Sequence, residues 1–181
     1  MSDRGMTLVE LMVSAAILLG GGGALIVGMH YAMAHSDYLN DFQISMNAVQ
    51  GRLEELAATD LSTLWTDPSF ATARTAAGQC MGLDEDRNCS GSLAGQDLNG
   101  NGQLDEPLPG ARLNVRVREF PPGAVNPSVV DLYVSACWND HGRVIGEDAS
   151  CNGQLDAGED ANGNGWLDSP AMASTRVAAR D

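Results

Sequence analysis

The chain has 181 residues, room for one domain of modest core beside an anchoring segment. It has no lysine and only ten basic residues, all arginine, against 24 acids, for a formal charge of −14. That balance argues against a nucleic-acid partner, since neutralising phosphates takes clustered lysine or arginine.

From Arg4 to Ala34 the sequence is an almost unbroken apolar run, introduced by a basic residue and Gly5 and carrying one acid, Glu10. As a helix, Leu11 to Ala34 spans about 36 Å at 1.5 Å per residue, enough for a hydrocarbon core of about 30 Å. A charge in such a segment costs roughly 2.5 to 3.5 kcal/mol, so Glu10 calls for a partner. A secretory signal carries its small-residue cleavage site after the apolar core, whereas here Gly5 precedes it. A plain membrane anchor explains the length and leaves Glu10 unexplained.

The stretch Arg4-Gly5-Met6-Thr7-Leu8-Val9-Glu10-Leu11 resembles the prepilin signature of type IV pilins and pseudopilins. The resemblance implies cleavage after Gly5 by a prepilin peptidase, methylation of Met6 as the new amino terminus, and pairing of Glu10 with the terminus of a neighbouring subunit. Phenylalanine is commoner in the family where Met6 stands. Residues 1–5 are then a leader, 6–34 a transmembrane and assembly helix, 35–64 an amphipathic continuation, and 65–181 a globular domain. Implied partners are other pilin or pseudopilin subunits, the peptidase, the inner-membrane assembly machinery and the inner membrane itself. The location is that membrane before assembly and an extracellular or periplasmic filament afterwards.

Each glycine of Gly20–Gly23 costs about 1 kcal/mol relative to alanine within a helix, which predicts a flexible or melted stretch or a close helix–helix contact. Beyond Ser36, Leu39, Phe42, Met46, Val49, Leu53 and Leu56 recur at spacings of three and four, one stripe of a helix running to about Ala58. Asn40, Asp41, Asn47, Gln50, Arg52, Glu54 and Glu55 fall mostly off it. Asp67-Pro68 closes any helical register in the connecting segment.

Leu113, Val115 and Val117 alternate with Asn114, Arg116 and Arg118, a strand with one wet face. Val129–Trp138 is a second strand, Asn139-Asp140-His141-Gly142 a turn, Arg143–Ile145 the return, and Ser174–Ala178 a candidate last strand. The pattern predicts an α+β fold, a long amino-terminal helix on a small antiparallel sheet, as in pilins, with strand order left open. The strands and the ending Arg176–Asp181 look most like minor pilins of the PilV sort.

Half of the acids lie in segments 84–106 and 147–168. Asp97-Leu98-Asn99-Gly100-Asn101-Gly102-Gln103-Leu104-Asp105 and Asp160-Ala161-Asn162-Gly163-Asn164-Gly165-Trp166-Leu167-Asp168 share the template D-x-N-G-N-G-x-L-D. Oxygen side chains at positions one, three, five and nine, glycine at six and a carbonyl at seven, here of Gln103 and Trp166, are the pattern of a calcium loop. A third copy runs through Asp148, Ser150, Asn152, Gly153, the Gln154 carbonyl, Asp156 and Glu159. Glu159 abuts Asp160, leaving no room for EF-hand helices, so two to three calcium ions in a stapled coil are expected. Locally the loops resemble thrombospondin type 3 or dockerin-like repeats. Asn-Gly runs also make ordinary turns. Asp84, Asp86 and Asn88 form the start of a fourth loop that lacks its glycine.

Cysteines outside the cytoplasm are expected in disulfides. Of the three possible pairings, proximity favours Cys80 with Cys89 and Cys137 with Cys151; zinc is disfavoured because the spacings are not paired C-x-x-C. His30, His35 and His141 belong to no catalytic motif, and the chain is read as a non-enzyme. The reading is a minor pilin of a type IV filament. A type II secretion pseudopilin is its near relative, and a tethered calcium-binding or adhesive module that never polymerises is the alternative of another class.

Overall fold

The computed structural model describes residues 7–83, 86, 89–90, 103, 105–124 and 127–179. The chain divides into two units, residues 1–40 and 41–181.

In the first unit, helix α1 (Leu8–Ala58) begins and runs without a break, Gly20–Gly23 included. This corrects the expectation of a melted stretch. Leucine, isoleucine and alanine on both sides favour the helix, and opening it leaves peptide groups unpaired, a larger penalty than glycine imposes. A Cβ at any of the four glycines meets nothing within 4 Å. An 18-residue window of α1 has mean hydropathy 2.1 and is wholly unburied.

In the second unit, α1 turns an apolar face inward. Ser45, Val49, Arg52 and Leu56 are its buried residues, spaced four, three and four. The centre of the stripe is thus rotated from the expected one: Leu39 is 49 % exposed, and Arg52 is buried with its guanidinium 2.6 Å from Glu55. A short helix, α2 (Leu61–Thr66), and a 3-10 turn over Pro68–Phe70 follow, the Asp67 carboxylate accepting the Ser69 N–H at 2.8 Å. Asp67-Pro68 ends the helical register of α2 in the connecting segment, as expected.

The sheet contains β1 (Gln79–Gly82), β2 (Arg112–Phe120), β3 (Val129–Asp140), β4 (Arg143–Ile145) and β5 (Met172–Ala178). All neighbours are antiparallel. The order is β1-β2-β3, and the far edge of β3 is shared between β5 along its first half and β4 at its end. The strand β1 escaped the periodicity because four residues, one of them glycine, carry too little alternation. Cross-strand pairs Leu113–Ala136, Val115–Val134 and Val117–Leu132 lie on one face, all nearly or wholly buried. The part of α1 within this unit packs on this face, and Val49, Leu56 and Leu64 join its core. Burying each such side chain contributes about 2 kcal/mol.

The β3–β4 hairpin turns at His141-Gly142, with φ of 50° and 84°. Two positive φ values are what a two-residue type I′ turn demands, and Gly142 supplies the second at no steric penalty. Disulfides join Cys80 to Cys89 and Cys137 to Cys151.

Candidate functional site

Two places carry the features singled out in the sequence: the start of α1 and the acidic segments.

At the helix start, Thr7 and Glu10 cap each other. The Glu10 carboxylate accepts the Thr7 N–H at 3.0 Å and its hydroxyl at 3.1 Å, while the Thr7 oxygen accepts the Glu10 N–H at 3.3 Å. This is a capping box, in which two unpaired helix-end donors are satisfied reciprocally and the negative charge sits at the favourable end of the helix dipole. Thr-x-x-Glu ahead of an apolar run is the sequence signature of this contact, a partner within the chain beside the neighbour's terminus that the sequence leads one to expect. Gly5 and Met6 lie outside the described residues.

Of the first acidic segment, Asp97, Asn99 and Asn101 lie outside the described residues, while Gln103 is exposed and Asp105 half-buried. Asp84 and Asn88 are outside too. Asp86 is fully buried, accepts the Ser90 N–H at 2.9 Å and faces Arg112 at 3.6 Å, so it is committed to a structural contact. Arg112 also reaches Glu106 at 3.0 Å.

The second segment folds back over the outer face of the sheet, the face expected to be wet. Asn114 is buried there, its amide donating to the carbonyls of Ala77 at 3.0 Å and Gly153 at 2.9 Å. Trp166 lies over Tyr133 with ring centroids 4.5 Å apart, and the Arg116 guanidinium sits 4.6 Å from the indole centre. The Tyr133 hydroxyl donates to Asp168 at 2.8 Å; burial, and then this carboxylate, push the phenol well above its usual range.

Within the segment the loops close on their first aspartates. Asp148, 2 % exposed, accepts from the Ser150 hydroxyl at 3.2 Å and from the N–H groups of Asn152 at 3.1 Å and Gly153 at 2.7 Å. Glu159, from the loop's far end, accepts the N–H groups of Ser150 at 3.1 Å and Asp156 at 3.0 Å. Asn152 donates to Asp156 at 2.7 Å. Asp160 repeats the first step with the N–H groups of Asn164 at 2.9 Å and Gly165 at 2.7 Å. Asn162 and Asn164 both donate to Asp168, whose own N–H donates to Glu147 at 3.1 Å.

Burial raises the Asp148 carboxyl above its ordinary range, against the backbone donors that lower it, and the nearby Glu159 charge raises it further. Among the described residues no arginine pairs with Asp148, and no three His, Cys, Asp or Glu side chains are placed to hold a metal ion. What the loops bring together is mixed: a few carboxylates and side-chain amides.

A helix headed by a capped acid, exposed and apolar along its first part, together with a small antiparallel sheet, defines an α+β protein whose amino-terminal helix is long and apolar enough to cross a membrane. The prokaryotic N-terminal methylation motif matches residues 1–19. Over those residues the chain is similar to the amino terminus of type IV pilins and pseudopilins. No curated protein and no solved structure matches it significantly.

Proposed function

We propose that this chain is a minor pilin, a structural subunit of a type IV pilus-like filament. The methylation motif over residues 1–19, at the head of a long helix with an unburied apolar window, carries the reading. In this reading a prepilin peptidase cleaves after Gly5, Met6 becomes the methylated terminus, and the apolar first part of α1 passes from the inner membrane into the filament core. Glu10 exchanges its capping contacts with Thr7 for the amino terminus of a neighbour, which keeps a charge satisfied in both surroundings.

The acidic loops are proposed to hold calcium. Asp148, Asn152, Asp156, Glu159 and the Gln154 carbonyl would take one ion, and Asp160, Asn162, Asn164, Asp168 and the Trp166 carbonyl another. The amides of Asn162 and Asn164 must then present their oxygens and not their NH2 groups. Supporting this is the charge deficit at Asp148, a buried carboxylate beside Glu159 that a hard cation would offset. A third ion at Asp97, Asn99, Asn101, Asp105 and the Gln103 carbonyl rests on the shared template alone. When bound, calcium supplies structural cross-linking and no chemistry.

Replacing Glu10 tests assembly. In cells, Glu10→Ala is expected to leave the amount in membranes unchanged and to lower the amount in sheared filaments by about tenfold, equivalent to about 1.4 kcal/mol. Equal incorporation contradicts the proposed role.

A further inference from the structure

The outer face of the sheet carries a feature that neither anchoring nor calcium explains. Arg116 and Arg118 project from β2 on the side covered by Trp166, at 4.6 Å and 5.8 Å from its ring centre. Both are half-buried, and neither has a carboxylate within 4.0 Å among the described residues. Asp131, directly across from Arg118 in the β2–β3 register, is taken by Arg176, which binds it through two nitrogens at 2.7 and 3.2 Å. Asp160 and Glu119 act on Arg116, and Glu119 on Arg118, only across a longer distance, so in a chain of 24 acids and ten arginines these two guanidiniums keep donors that no direct ion pair takes up among the described residues.

We infer that Arg116 and Arg118, flanking Trp166, form a docking surface for a carboxylate-rich, extended polypeptide segment of a neighbouring subunit. Three observations select this partner. Residues two apart on a strand stand about 6.6 Å from each other, the same repeat at which alternate side chains of an extended acidic peptide recur. The two guanidiniums stand on alternate residues of one strand, both beside the same indole, so that each can meet its own carboxylate. The indole offers a flat apolar body for the methylene stems between the charges, and planar guanidiniums pair well with carboxylates. The acidic segments of this chain are themselves of the required chemistry. The filament reading enters only in naming the partner as a subunit; the binding chemistry stands apart from it.

The test uses the full-length chain in detergent micelles and a labelled short poly-glutamate peptide. Binding is expected at low salt and should fade as salt is raised, because exposed ion pairs are screened within about 10 Å at 0.1 M. The double replacement Arg116→Gln with Arg118→Gln should weaken it by about tenfold with an unchanged melting transition, while Arg143→Gln, on the β4 hairpin, should leave it unaltered. If the double variant melts early, Arg118→Gln alone is read, with a loss of about threefold expected. Wild-type affinity in these variants overturns the inference. So does tighter binding of dextran sulfate than of poly-glutamate through the same arginines, which assigns the surface to an anionic polysaccharide. Because binding is measured on the isolated chain, its failure is separate from a failure of filament incorporation.

Discussion

Gly153 stands where the second acidic segment presses closest on the sheet. Its φ is +72°, and a Cβ there would lie 2.6 Å from the Cys80 sulfur and 2.8 Å from the Leu113 carbonyl oxygen. Position six of the loop template thus has two independent reasons to be glycine. Gly153→Ala is expected to destabilise the protein by about 3 kcal/mol, lowering its melting temperature by roughly 10 °C. Gly158→Ala, with φ of +95° in open space, bears only the conformational penalty of about 1 kcal/mol. Equal melting of the two variants would contradict the packing described. Asp148 makes a second prediction at this scale. Its pKa is raised in the folded chain by burial, so between the ordinary carboxylate value and the raised one the native state binds more protons than the unfolded state. Stability from this group therefore falls as pH rises through that window. In chelator, wild type should lose stability relative to Asp148→Asn as pH climbs above the ordinary carboxylate value, and calcium should reverse the trend by holding the carboxylate ionised. Parallel pH profiles in chelator would contradict the assigned burial.

The elements differ in how openly the sequence declares them. The strand β2 alternates apolar with polar residues and was legible, as was the long helix, while β3, buried on both faces from Leu132 to Trp138, declared itself as a mostly apolar run ending at a turn. The stripe on α1 was legible only approximately: Ser45 and Arg52 face inward although their polarity places them outside, Arg52 being accommodated by Glu55. Gly20–Gly23 misled because intrinsic propensity is a weak prior beside apolar, helix-favouring flanks. The acidic segment was legible as loops but not as a cover for the sheet. Trp166, noted for its carbonyl, acts through its ring, and its contacts with Tyr133 and Arg116 cross between distant segments and leave no local pattern. Calcium is tested at this scale. The melting temperature of the full chain should rise with millimolar calcium and fall in chelator, by about 2.7 kcal/mol of stability at a hundredfold excess over the dissociation constant. Magnesium should substitute poorly. Asp148→Ala together with Asp160→Ala should remove most of the shift. No calcium response in wild type would make the loops ordinary Asn-Gly turns.

At the scale of the whole molecule, one chain carries both a helix long and apolar enough to cross a membrane and a sheet domain with two disulfides and an acidic cover. The capping box gives Glu10 a partner within its own chain; in the proposed filament reading this contact holds the charge until a neighbouring subunit takes it over. That sequence of events requires the chain to be cut at the edge of the motif. Intact-mass and amino-terminal analysis of the protein from membrane fractions tests this most directly. A chain beginning at Met6 and carrying one methyl group on its amine is the result expected. An uncut amino terminus, or a cut beyond Ala34 that releases the sheet domain without its helix, would contradict the proposed filament subunit.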